Sequence, residues 1–391
     1  IGRTLSASSS PFSWRLSCSF DTLAILGGSL PGMSQKSARG KTPIAATPEN
    51  DPVGPPTKEI VDRLRLIRSE AVGPVTYHAL IARFGNAEAA LHSLQELARR
   101  GGRRKPLRIF GQAPAEDELA AAAQHGAVPI AHGDAAYPAA LAEIPDAPPL
   151  LYAIGRNALL TKDAVGIVGA RNASAVGLRF ARELADDIGC HDIVVVSGLA
   201  RGIDAAAHRG ALAHGTIAVV AGGLDHIYPP ENEDLFQQIC EIGCALSEMP
   251  PGTVPQARHF PRRNRIVSGI SRAVVVVEGA ARSGSLITAR LAGEQGRDVL
   301  AVPGSPRDPR ARGPNALLRQ GAAICEDVND VLAALSLPRR PIAPTRVEDP
   351  PQLNEPAAGI TDAARHQLLE QLGVTPIEID DLRSEEHTSE L

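Results

Sequence analysis

From Lys58 onward the apolar positions fall first at helical spacing and then at strand spacing. Ile60, Leu64 and Ile67 recur at steps of four and three, which is one face of a helix. Ala71-Val72-Gly73-Pro74 makes a tight turn into a second helix carrying Leu80, Ile81 and Phe84. Residues 87–100 read as a third helix that stops at Gly101-Gly102. These predict a small helical domain over 57–110, with residues 111–162 as a connector. The rhythm then changes. Short β-branched runs at 164–168, 193–197, 216–220, 244–247, 273–277 and 299–302 alternate with helical stretches near 175–188, 204–214, 232–242, 262–270, 285–296 and 314–321. Val274 to Val277 is an unbroken apolar run, as a strand covered on both faces requires. Such alternation predicts right-handed crossovers and a doubly wound, mostly parallel sheet over 163–337, an extended Rossmann-like α/β domain.

The ends follow no such pattern. Residues 1–56 read as a disordered or foreign lead. Within it, 1–32 is Ser-rich and nearly acid-free, and Met33 is the first methionine and the expected native start. A targeting peptide is the competing reading of 1–32. Residues 338–360 are Pro-rich and read as a linker. A helix from about Thr361 to Leu372 opens a last segment, 361–391, which ends in a foreign-looking polar tail.

Composition narrows the function. Only 3% of residues are aromatic, so the core is aliphatic, and the net charge of −4 confines any nucleic-acid contact to a local basic patch. The cysteines Cys18, Cys190, Cys240, Cys244 and Cys325 are odd in number and scattered, which fits neither a disulfide framework nor a zinc spacing. No apolar run reaches the roughly 18 residues of a spanning helix, so no membrane partner is expected.

Ligands of doubly wound sheets sit beyond the carboxyl ends of the strands, so the loops there carry the chemistry. The loop Gly169-Ala170-Arg171-Asn172-Ala173-Ser174 leads to a helix containing Gly177. It is neither a dinucleotide fingerprint nor a P-loop, but a helix N-terminus with Ser174 as cap stabilises an anion, and Arg171 adds a charged fork. The loop from Ser197 and Gly198 through Arg201, Gly202 and Asp204 lets backbone approach a ligand closely. Asp204 and His208 either serve that ligand or only brace the loop. Gly222 and Gly223 precede Tyr228, which either stacks on a base or packs under Pro229. From Met249 to Val277 there is no acidic residue, while Arg258, Arg262, Arg263, Arg265 and Arg272 are interleaved with Phe260 and Asn264. That one-sided stretch suits a polyanion, the competing reading being a helix whose arginines pair with acids elsewhere. Ser283, Gly284, Ser285 and Thr288 open a further helix with phosphate-binding donors. No nucleophile, carboxylate pair or metal cluster accompanies these loops, so no catalytic residue, cofactor or metal is expected.

The runs GIVGARNAS, SGLARGIDAAAH, TIAVVAGGLDHIYPPEN, SEMPPG, HFPRRNRIVSG, VVVVEGAARSGSLITA and AVPG resemble, in order and spacing, the motif set of the DprA/Smf family of DNA-processing proteins. The helical domain resembles the family's SAM-like N-terminal domain, and its Val-Gly-Pro turn resembles a helix-hairpin-helix turn, the competing reading being a plain helical-bundle corner. LLEQLGVTPIEIDDLR resembles the opening of the winged helix that some members carry, incomplete after Arg383. The resemblance implies a cytoplasmic, non-enzymatic homodimer that binds single-stranded DNA, protects incoming DNA during natural transformation and loads the RecA recombinase. It carries a DNA-binding role onto Arg171, Arg201, Arg263 and Arg265. The competing class is a Rossmann-like nucleotide-sugar hydrolase, whose acidic catalytic loop the 278–285 segment lacks.

Overall fold

The computed structural model describes residues 57–336; the expected lead, linker and winged-helix segment lie outside them. Three helices come first: α1 (Lys58–Arg68), α2 (Pro74–Phe84) and α3 (Ala87–Arg100). Each starts on a recognisable signal. Thr57 caps α1, Pro74 sits in the first turn of α2, and Asn86 accepts from the Ala89 N–H at the head of α3. Leu66, Tyr77, Leu80, Leu91 and Leu94 close a separate small core between them.

The connector expected over 111–162 is instead part of the sheet. It folds as α4 (Gln112–Gln124), β1 (Val128–Ala131), the single turn α5 (Ala139–Ala142) and β2 (Leu150–Gly155). Then follow β3 (Ala164–Val168), α6 (Ala175–Cys190), β4 (Val194–Ser197), α7 (Ile203–Ala211), β5 (Thr216–Val219), α8 (Glu233–Ile242) and β6 (Cys244–Ser247). The second half runs α9 (His259–Ile270), β7 (Ala273–Val276), α10 (Gly284–Glu294), β8 (Asp298–Ala301), α11 (Arg312–Arg319), β9 (Ala323–Ile324) and α12 (Val328–Ser336).

The nine strands form one sheet in the order β1-β2-β6-β5-β4-β3-β7-β8-β9. From β6 to β9 every pairing is parallel. β2 runs antiparallel to β6, with Tyr152 opposite Ser247, and β1 antiparallel to β2. The parallel strands alternate between two buried faces. Val168, Val196, Val219, Leu246, Val274 and Val276 meet α9 and α10. Val165, Ile167, Val195, Val275 and Leu300 meet α6, α7 and α12. Apolar side chains on both faces explain why these strands read as continuous runs. On the second face the core extends over Tyr152, Ala218 and Ala245 to Leu64 of α1 and Leu119 of α4, so the helical domain shares a core with the sheet. Among the described residues no helix is long and apolar enough to cross a membrane.

The chain winds outward from β3 in one direction to β6, then returns to β3's other side with β7. That reversal opens a crevice beyond the carboxyl ends of β3, β4 and β7.

Candidate nucleic-acid interface

The crevice is a cleft of about 700 Å3, lined by the loops after β3, β4 and β7, the start of α9 and the N-terminus of α10. Its loops are held together backbone to backbone. Gly202 has φ +77°, and a Cβ there would stand 2.1 Å from the Ala170 carbonyl oxygen. Only glycine permits both. The Ile203 N–H donates to that same oxygen at 3.2 Å.

Arg263 forms the floor. The Nη1 edge of its guanidinium fills the place of a Gly198 side chain, where a Cβ would fall 1.2 Å from Nη1. Arg263 is 7% exposed. Its nearest acid, Asp204, is 3.9 Å away. Its Nε has no hydrogen-bond partner among the described residues. Burial pushes the guanidinium below its ordinary range against the opposing pull of Asp204, and Arg171 adds to the lowering. Burial likewise raises Asp204 although Arg263 and the loop N–H groups oppose it. Both partners are therefore shifted against their charged forms, so this pair alone does not offset its own desolvation.

Asp204 lies in the first turn of α7, one step inside the helix from the N-cap Gly202 and Ile203. Its Oδ2 accepts from the N–H groups of Gly198 (3.2 Å) and Ala200 (3.4 Å). It thus uses two of the donors expected to face a phosphate. The same correction applies to α6. Glu278, from the end of β7, accepts from the Ser174 N–H at 2.9 Å and from its hydroxyl at 2.6 Å. Ser174 Oγ in turn accepts from the Gly177 N–H at 3.0 Å. A Cβ on Gly177 would meet the Glu278 carboxylate at 2.6 Å. An internal carboxylate occupies this helix end, so Ser174 and Gly177 brace the loop and do not line the cleft.

The rim is cationic and aromatic. Arg171 is exposed, with its Cζ 5.4 Å from the Phe260 ring centroid. Phe260 meets Tyr228 edge to face at 5.9 Å, and Tyr228 is 51% exposed. These three, with Gly198, Arg201 and Arg263, border a narrow groove continuous with the cleft. Among the described residues Arg201 pairs with Glu231 alone, at 3.9 Å with both side chains exposed. Gly169, Asn264, Ser283, Gly284, Ser285 and Thr288 line the main cleft. Arg282 and Arg310 line it too, and sequence reasoning left them out of the site. The signal for Arg282 was its place in the β7 loop; Arg310 is brought in because its carbonyl accepts from the Gly279 N–H at 2.7 Å.

Other expected contacts go elsewhere. Arg265 is 6% exposed, with Nη2 2.6 Å from Glu248 and Nε 3.4 Å from Asp146. Two residues along a helix turn a side chain by about 200°, so Arg265 points away from the floor that Arg263 forms. Ser197 is fully buried and donates to the Ile167 carbonyl at 2.6 Å. Gly222 and Gly223 press against the 250–255 segment, where a Cβ at Gly222 would stand 2.7 Å from the Thr253 carbonyl oxygen.

His208 lies behind the floor, fully buried. Thr216 gives its hydroxyl proton to the Val195 carbonyl at 2.7 Å, so His208 Nδ1 is the donor to Thr216 Oγ1 at 2.9 Å. Nε2 is left as an acceptor with no hydrogen-bond partner among the described residues. Burial, with the nearby charges of Arg263 and Arg209, lowers the imidazole from 6.5 to about 3. Unfolding restores the ordinary value, so below about pH 6.5 the unfolded chain takes up a proton that the folded chain refuses. The His208 contribution is intact above pH 6.5 and is lost toward pH 3 at about 1.4 kcal/mol per unit. Urea melts at pH 7 and pH 5 should therefore differ more for the parent than for His208→Gln. Equal differences would refute the buried neutral imidazole.

The chain was compared with known proteins. A family model described as DNA recombination-mediator protein A matches residues 129–336, and one described as a DprA-like N-terminal HHH domain matches 57–121. The DNA processing protein DprA of Bacillus subtilis is 47% identical over 220 residues, covering 56% of this chain and 74% of that protein. Protein Smf of Synechocystis is 45% identical over 208 residues, 52% of each chain. The X-ray structure of DNA processing protein A from Streptococcus pneumoniae has 37% identity and a TM-score of 0.54, over 63% of this chain and 82% of that one. A helix-hairpin-helix domain leading into a mostly parallel α/β sheet is the arrangement described above. With a family model spanning more than half its length, the chain belongs to the DprA/Smf family of DNA-processing proteins.

Proposed function

We propose that the cleft binds single-stranded DNA, with phosphates drawn to Arg171, Arg263, Arg282 and Arg310 and bases stacked on Phe260 and Tyr228. The observation that carries this reading is the Arg263 guanidinium, buried at the cleft floor with an unpartnered Nε and only a distant acid. An anion entering the cleft supplies the charge and the acceptor that the floor lacks. Stacking requires bases that are not already paired within a duplex, which favours single strands. No role in turnover is assigned to these residues.

On this reading the chain acts in the cytoplasm as a homodimer formed through its Rossmann-like domains. It protects incoming DNA in natural transformation and loads the RecA recombinase. The family description, a recombination mediator, supports that wider role. The test is a titration of the purified protein with single- and double-stranded oligonucleotides at several salt concentrations. Single strands should bind more tightly, with a log–log salt slope of about −0.7 per phosphate neutralised. Equal affinity for duplex, or hydrolysis of a nucleotide in place of stable binding, would reject the proposal.

A further inference from the structure

The end of α6 remote from the cleft carries a second cluster that the DNA site does not use. Asp186 and Cys190 lie one turn apart on the last turns of α6 and share a face. His214 reaches them from the turn between α7 and β5, where its N–H donates to the Ala211 carbonyl at 3.0 Å. One atom, His214 Nε2, is 3.0 Å from Asp186 Oδ1 and 3.8 Å from Cys190 Sγ. The three donor atoms all lie within 4.8 Å of one another, the one such group among the described residues.

We propose that Asp186, Cys190 and His214 form a surface site for a zinc-class divalent ion. Tetrahedral zinc at its usual bond lengths places sulfur, nitrogen and oxygen donors about 3.4–3.6 Å apart, so the three side chains need only small adjustments to close on an ion. The ring is pre-positioned. A Cβ on Gly189 would stand 2.4 Å from His214 Cδ2, so the imidazole rests on bare backbone that only glycine leaves open. The electrostatics also favour a cation. The last turn of α6 contains no basic residue, and the helix C-terminus carries the negative end of its dipole. A thiol, an imidazole and a carboxylate form a borderline-soft set, which selects zinc or cobalt over magnesium or calcium. Cys190 is exposed, whereas Cys240, Cys244 and Cys325 are buried. Three protein ligands leave a fourth position for solvent, and the thiol proton is released on binding.

The 16 residues of α6 hold this site about 24 Å from the Ser174 loop. The ion would tie α6 to the α7–β5 turn without touching DNA. Titration of the full chain with Co2+ tests this. One equivalent should give the visible bands of tetrahedral cobalt and a near-ultraviolet thiolate-to-cobalt charge-transfer band, both displaced by Zn2+. Cys190→Ser should abolish the charge-transfer band. His214→Ala and Asp186→Asn should weaken cobalt binding at least about tenfold. Zn2+ should raise the melting temperature of the parent and not that of Cys190→Ser. Absence of the charge-transfer band in the parent, or its survival in Cys190→Ser, would overturn the proposal.

Discussion

Arg171→Ala should lower the affinity for single-stranded DNA by about ten- to a hundredfold while leaving the melting temperature unchanged. A hydrogen bond to a charged group contributes about 1.5–3 kcal/mol, which corresponds to that range. Arg171 is exposed at the rim, and its close neighbour is the Phe260 ring, so truncation buries no orphaned charge. The log–log salt slope should become shallower by about 0.7, because one phosphate contact is lost. Phe260→Ala should weaken binding as well but leave the slope unchanged, since stacking releases no counterion. If Arg171→Ala binds with the parent's affinity and slope, the cleft does not hold the strand.

The opposite outcome is expected for Arg265→Ala. The guanidinium and Glu248 are each 7% exposed in their side chains and stand 2.6 Å apart. Removing one partner of a buried pair costs about 3–5 kcal/mol, because the remaining charge stays desolvated. Among the described residues the ion-pair partner left to Glu248 is Arg262, at 3.6 Å and half exposed, with the Arg68 charge nearby. A drop in melting temperature of about 10 °C should follow. Below that temperature the salt slope for single-stranded DNA should match the parent. A variant of unchanged stability with a reduced slope would return Arg265 to the DNA surface and remove the structural role assigned to it.

These two arginines show what could be read from the sequence. The acid-free stretch from Met249 to Val277 announces cationic character, and the parallel strands announce themselves by apolar runs such as Val274 to Val277. Which arginine faces the cleft depends on the rotation of α9 against the sheet, a tertiary fact. The phosphate cradle expected at Ser174 failed for a related reason. Its competitor, Glu278, lies 104 residues along the chain, and local pattern does not reveal that it folds back onto the α6 N-terminus. β1 and β2 fall in the segment that reads as a connector, because Pro129 interrupts one and Pro148-Pro149 leads into the other.

The pairing of β2 with β6 bears on how the protein is made. Tyr152 and its partner Ser247 are about 95 residues apart. At a synthesis rate of about 5–20 residues per second, β2 leaves the ribosome roughly 5–20 s before the strand it pairs with exists. Its neighbour β1 and the Leu64 and Leu119 side chains of the preceding helices are synthesised earlier and join it in the native core. The N-terminal helices thus offer this early strand a partial shelter during translation, and β6 completes the sheet from its other side.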